Sequence, residues 1–161
     1  DTGPNSLRVD RLCAKLNVTK GSFYWHFTDM AAYRDAMAEA WGSLQDDRRR
    51  PFENMPDVDP RERLSIMMEA LVAPQHWEIE RAMRAWALTD EAVLSSVQRS
   101  DGRVLHAVRQ AFLDYGFEPE EAQLRSAALF AMGVGFLDAA NSAGDAPAEL
   151  REQILDFILR R

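Results

Sequence analysis

Lys20, Ser22, Tyr24, Trp25 and His26 bring an ammonium, a hydroxyl, a phenol, an indole and an imidazole into one short stretch of chain. Phe23 and Phe27 recur there at i, i+4. If the stretch is helical, the two phenylalanines share an inward face and the other side chains point elsewhere. Such a surface donates hydrogen bonds, carries positive charge and offers rings for stacking. That is chemistry for gripping a phosphate backbone and reading base edges, not for making or breaking bonds. So many exposed aromatic groups burden solubility unless they meet a partner.

Groups suited to catalysis or metal binding are not gathered in this way. The three histidines are far apart at positions 26, 76 and 106, with no HExxH or similar spacing. Cys13 is the one cysteine, so there is neither a disulfide framework nor a cysteine-rich metal site, which fits a reducing compartment. There is no glycine-rich phosphate loop and no G-x-S-x-G elbow. No metal, cofactor or enzymatic activity is expected.

The elements that would present the aromatic stretch are legible just before it. Val9, Leu12 and Leu16 lie at i, i+3, i+7 and give a first short helix one apolar stripe. Cys13 and Ala14 are small enough for a close helix crossing. Asn17 tolerates the left-handed region and can reverse the chain, and Val18 would follow as a buried plug. Thr19 can cap the next helix, and Gly21 leaves room for another backbone. Residues 9–27 therefore read as two short helices joined by a tight turn, the arrangement of a helix-turn-helix.

The run L-N-V-T-K-G-S-F-Y-W-H-F resembles the recognition segment of the TetR family of bacterial transcriptional regulators, roughly G-V-(S/T)-x-G-(S/T)-h-Y-x-H-F. The resemblance implies a homodimer whose recognition helices enter successive major grooves of a double-stranded operator. The DNA-binding set it implies is Thr19, Lys20, Gly21, Ser22, Tyr24, Trp25 and His26. Lys20, Ser22 and Trp25 would face base edges or nearby phosphates, while Tyr24, His26 and the Gly21 amide would hold the backbone. Met30 stands where the family usually has Lys or Arg, and Asn17 where it usually has Gly. In the family a preceding helix completes the head, so one is expected before Asp1.

Charge separates the two parts. The net charge is −7, yet residues 1–34 hold five basic and three acidic residues against fourteen and twenty-three in the remainder. The proposed DNA-touching part is thus the basic part of an acidic protein. We place an incomplete DNA-binding head at 1–34 and a helical ligand-binding and dimerisation domain at 35–161. With no strand alternation or repeat, the expected fold is all-α.

Within the body, a long helix after Asp29 is expected to end in a solvated polar run at residues 46–50, followed by a loop over residues 51–58. Asp59 and Pro60 should open the next helix and Pro74 should close it. Further helices are expected over residues 77–88, from Asp90 to Gly116, over residues 120–142 and over residues 148–159. Met67, Met68, Trp77, Met83, Trp86, His106, Phe112 and Phe130 are candidate lining for a mainly apolar small-molecule effector, since Met and aromatic side chains are large and adaptable. Leu124, Ala127, Ala131, Gly135, Leu150, Ile154, Phe157 and Ile158 offer more apolar surface than one protomer needs, a candidate four-helix dimer seam. No apolar run approaches the ~20 residues of a membrane helix, so a soluble, cytoplasmic protein without a membrane partner is expected. The function expected is a ligand-responsive regulator, most often a repressor in that family. The alternative is a helical small-molecule-binding or protein-interaction module without DNA binding.

Overall fold

Short polar side chains and left-handed residues set the ends of the helices in this chain. A computed structural model describes residues 7–53, 55, 57–71, 77–143 and 148–160, without the side chains of residues 52, 53, 71, 77 and 137–143. The described residues form eight helices and no strand: α1 (Val9–Leu16), α2 (Lys20–His26), α3 (Met30–Glu53), α4 (Pro60–Leu71), α5 (Trp77–Ala87), α6 (Glu91–Asp114), α7 (Pro119–Ala143) and α8 (Ala148–Ile158). The fold is all-α. Among these residues no helix is long and apolar enough to cross a membrane.

Asn17 sits in the left-handed region at φ 54°, ψ 44°. Its amide donates to the Ala14 carbonyl at 3.4 Å and the Val18 amide donates to the Cys13 carbonyl at 3.0 Å, which closes α1 as a Schellman motif. Thr19 Oγ1 then accepts from the Ser22 amide at 3.1 Å and starts α2. Asp29 does the same for α3, Asp59 for α4 and Asp90 for α6. Gly116, at φ 100°, ends α6 in a second Schellman motif whose Phe117 amide donates to the Phe112 carbonyl at 3.1 Å while the two rings pack 5.9 Å apart.

The end of α3 departs from the sequence reading. The helix runs through residues 46–50 and Pro51 to Glu53 instead of stopping before the proline. Its last turns are tied to α6, with Asp46 paired to Arg103 at 2.9 Å and Arg49 donating to the Ser100 hydroxyl. Pro51 lies so near the helix end that its missing N–H disturbs a single turn. Pro74 lies outside the described residues, as does His76.

Two hydrophobic clusters share α6. Leu64, Met68, Phe112, Phe117, Leu129, Leu155 and Ile158 form one between α4, α6, α7 and α8. Ala38, Trp41, Met83, Trp86, Val93 and Val97 form the other between α3, α5 and α6. Arg125 on α7 secures the end of α8 by donating to the Ile158 and Arg160 carbonyls, with its guanidinium 4.0 Å over the Phe117 ring. α2 meets α3 where Tyr33 packs 5.8 Å from Phe23 and 5.1 Å from Phe27.

Candidate functional site

α2 buries one of its residues, Phe23, and presents the others outward. Trp25 is 81% exposed and Tyr24 56%, and His26 stands edge-on to Trp25 with ring centroids 4.5 Å apart. Lys20 pairs with Asp10 on α1, both side chains well exposed. Hydrogen bonding to the Asp10 carboxylate first, and its charge second, hold the Lys20 ammonium above its ordinary value. An exposed pair of this kind is worth little, so a phosphate can displace Asp10. Cys13 is buried at the crossing and its Sγ lies 3.7 Å from the Thr19 carbonyl oxygen. The buried plug expected of Val18 is not found: Val18 is 44% exposed, as is Leu16 at 58%, because no described element covers this side of the turn. A Cβ on Gly21 would meet Thr19 Oγ1 at 3.7 Å, an ordinary contact, so nothing in the described chain requires a glycine there.

The second feature is an open cleft of about 770 Å³ between α3, α4 and α6. One wall carries Glu39, Gly42, Ser43 and Asp46 at one-turn spacing on α3, and the facing wall carries Arg99, Arg103, His106 and Gln110 on α6. The Asp46–Arg103 pair joins the walls. A separate apolar cavity, lined by Met67, Met68, Phe130 and neighbours, measures about 20 Å³, too small for an effector.

Behind the cleft lies a partly buried ionic network in which Glu80 is the fully buried member. Arg84 on α5 donates two hydrogen bonds to Asp101 on α6, at 3.0 and 2.7 Å. Its Nη2 is also 3.0 Å from Glu80 Oε1, close enough for charge attraction but outside hydrogen-bonding alignment. Gln45 on α3 donates to Glu80 Oε2 at 3.1 Å. Burial alone lowers Arg84, but Asp101 and Glu80 together outweigh it and hold the guanidinium above its ordinary value. Arg49 shows the opposite balance: desolvation dominates and lowers it. Arg49 is therefore not part of a solvated helix end, as the polar run at residues 46–50 had implied.

The chain matches no family model, and neither a curated protein nor a solved structure is significantly similar to it.

The residues assigned to an apolar effector site scatter. Met67 and His106 line the cleft. Met68 and Phe112 belong to the first core, and Met83 and Trp86 to the second, where they fill space between helices. Phe130 is half-buried at the small cavity, and the Trp77 side chain lies outside the described residues. The seam residues divide differently. Leu124 is 71% and Phe157 69% exposed, and Ala127, Ala131, Gly135 and Leu150 are exposed too. A Cβ on Gly135 would meet nothing within 4 Å. Ile158 instead is buried in this chain's own core and Ile154 packs against it, because α8 turns that face toward α4. Among the described residues no group of His, Cys, Asp or Glu side chains is placed to hold a metal ion.

The cleft walls other than Met67 and His106 were not singled out from sequence. The spacing of residues 99, 103, 106 and 110 was available, but a polar helical stripe looks the same whether it faces a cleft or open water. Gly42 and Gly102 lie on opposite walls inside helices, and a Cβ on either would meet nothing within 4 Å. They open the cleft without serving helix packing. Gly102→Ala should therefore raise stability by about 0.5–1 kcal/mol, as should Gly42→Ala, measured as a higher urea midpoint at unchanged m-value. A lower midpoint would mean that the helices close on the glycines in solution.

Proposed function

We propose that this chain is the reading head and effector body of a dimeric, ligand-responsive DNA-binding regulator of the TetR type, a repressor released from a pseudo-palindromic operator by a small molecule. The observation that carries the reading is α2: a Thr19-capped helix that buries Phe23 and holds Tyr24, Trp25 and His26 outward, within the run T-K-G-S-F-Y-W-H-F. Two such helices in a dimer would enter major grooves about 34–36 Å apart. The exposed stripe of α7 and α8 supplies apolar surface for the second copy, with Gly135 leaving room for a close helix.

α3 links effector to head in this reading. Its first turns hold Tyr33 against Phe23 and Phe27, and its middle forms a wall of the cleft. A ligand that fits one α3–α6 spacing better than another biases the separation of the two heads by its differential affinity.

Selection of bound duplexes from a random pool by the full-length protein, at two salt concentrations, tests the reading. Enrichment of a two-fold symmetric site, weakening steeply with salt, supports it. No enrichment from a folded dimer favours the small-molecule-binding or protein-interaction module. Substitutions resolve the roles. Tyr24→Phe and His26→Ala should weaken binding to all duplexes alike, whereas Lys20→Ala and Trp25→Ala should change sequence preference. Gly21→Ala should leave the melting temperature unchanged or higher while reducing affinity, since only a docked phosphate backbone would need the space. Unchanged binding in all five variants would remove α2 from the interface.

A further inference from the structure

We infer that the α3–α6 cleft takes an organic monoanion, a carboxylate on a short apolar body, with its acid group at Arg99 and Arg103. Arg99 donates one hydrogen bond, to Ser96 Oγ at 3.0 Å, and has no carboxylate partner among the described residues. Arg103 lies one turn further on and lines the same cleft, a spacing at which two guanidinium groups can share one carboxylate. Arg103 has other contacts besides Asp46, but the Asp46 pair joins side chains that are 38% and 41% exposed, a pairing worth little and readily exchanged for a ligand's oxygens.

Further along, small and apolar residues stand between Arg103 and the far margin of the cleft. Gly42, Ala107 and Met67 line this part, with His106, Gln110, Glu39 and an Arg63 already paired with Asp114 at the margin. From the level of Arg99 to that of Ala107 is about 12 Å along α6, room for a chain of about eight carbons or for a phenylalkyl group. Of the two acids that line the cleft, Asp46 is paired with Arg103, and Glu39 lies at the far end with no ion pair among the described residues. At the Arg99 end a cation would find Asp46 already held by Arg103, whereas an anion finds two guanidinium groups and the Ser96 hydroxyl. The inference names the effector class of the regulator proposed above, and rests on that reading for its consequence on DNA alone.

Octanoate and 3-phenylpropionate, each beside its amide and its matching alkylamine, are the probes. Binding is read by calorimetry and by melting temperature at low salt. At least one carboxylate should raise the melting temperature by about 5–10 °C at a hundredfold excess over its Kd, and its amide and amine should not. Arg99→Gln, a change at an exposed side chain, should weaken that carboxylate roughly 10- to 100-fold while leaving the free protein's melting temperature within a few degrees. Gly102→Leu should block it by filling the cleft. Equal response to acid and amide, preference for the amine, no response to either carboxylate, or full affinity in Arg99→Gln overturns the inference. Duplex selection is read separately. Carboxylate binding without operator binding removes the regulator and keeps the cleft assignment; operator binding with no carboxylate response does the reverse.

Discussion

Arg84→Ala should lower the stability of the protein by about 2–3 kcal/mol, less than the full loss from breaking a buried ion pair because Arg84 and Asp101 keep 20% and 19% of their side-chain surface exposed. Arg84 holds Asp101 through two hydrogen bonds and lies beside Glu80, which is 6% exposed. Without it, two carboxylates share a poorly hydrated site beside the charge of Arg49 and the Gln45 amide. Acid should recover part of the loss. The stranded carboxylates favour their neutral form when buried, so the folded variant binds protons more readily than its unfolded chain and gains stability as pH falls. Asp114 works the other way, because Arg63 first and Gln110 second hold it below its ordinary value. Its contribution is present above the unfolded value near 3.9 and is lost as pH falls through the lower folded one. That term is common to both proteins and cancels in their difference. Urea titrations at pH 7 and pH 5 check this: the gap between variant and wild type should narrow at pH 5. A gap below about 1 kcal/mol, or one that widens in acid, would show that the network is solvated in solution.

The triple variant Arg84→Met, Glu80→Gln, Asp101→Asn should recover most of the stability, since replacing all partners removes the uncompensated charge. The network's effect then lies in geometry. It fixes α5 and α6 to the half of α3 beyond Trp41, the half away from α2. In the proposed reading, relaxed geometry there should appear as weaker coupling between cleft occupancy and DNA affinity.

What could be read from the sequence and what could not divide by the range of the interaction. Asn17, Thr19, Asp59, Asp90 and Gly116 act on amides and carbonyls within a few residues, so residue type and position were enough to place turns and caps. Phe23 was legible as the inward residue of α2 because Tyr24, Trp25 and His26 around it have outward spacing. Val18 was not, because its burial depends on what lies over the turn, not on its own preference. The Arg84–Asp101, Gln45–Glu80 and Arg49–Ser100 pairs join different helices, and each partner alone has the appearance of a surface residue. The same limit hid the cleft. Met and aromatic side chains were the natural candidates for lining, but they were taken up by the two cores around α6, which left the open space to polar faces and glycines.

Phe157→Glu should convert the proposed dimer to monomer without unfolding it. At 69% exposure Phe157 adds little to its own chain, so the substitution should change monomer stability by no more than about 0.5 kcal/mol. In a seam between two copies of α7 and α8, the same change would bury a carboxylate among Leu124, Ala131 and Leu150, which offer it no partner. Separate heads also lose the gain from linking two half-site contacts, so operator affinity should fall by about 10²- to 10⁴-fold. Sedimentation of both proteins at micromolar concentration gives the assembly state, and duplex titration gives the affinity. If the wild type sediments as a monomer, or the variant remains a dimer, α8 is not the seam. A monomeric variant with undiminished operator affinity would separate dimerisation from DNA reading and leave α2 to act alone.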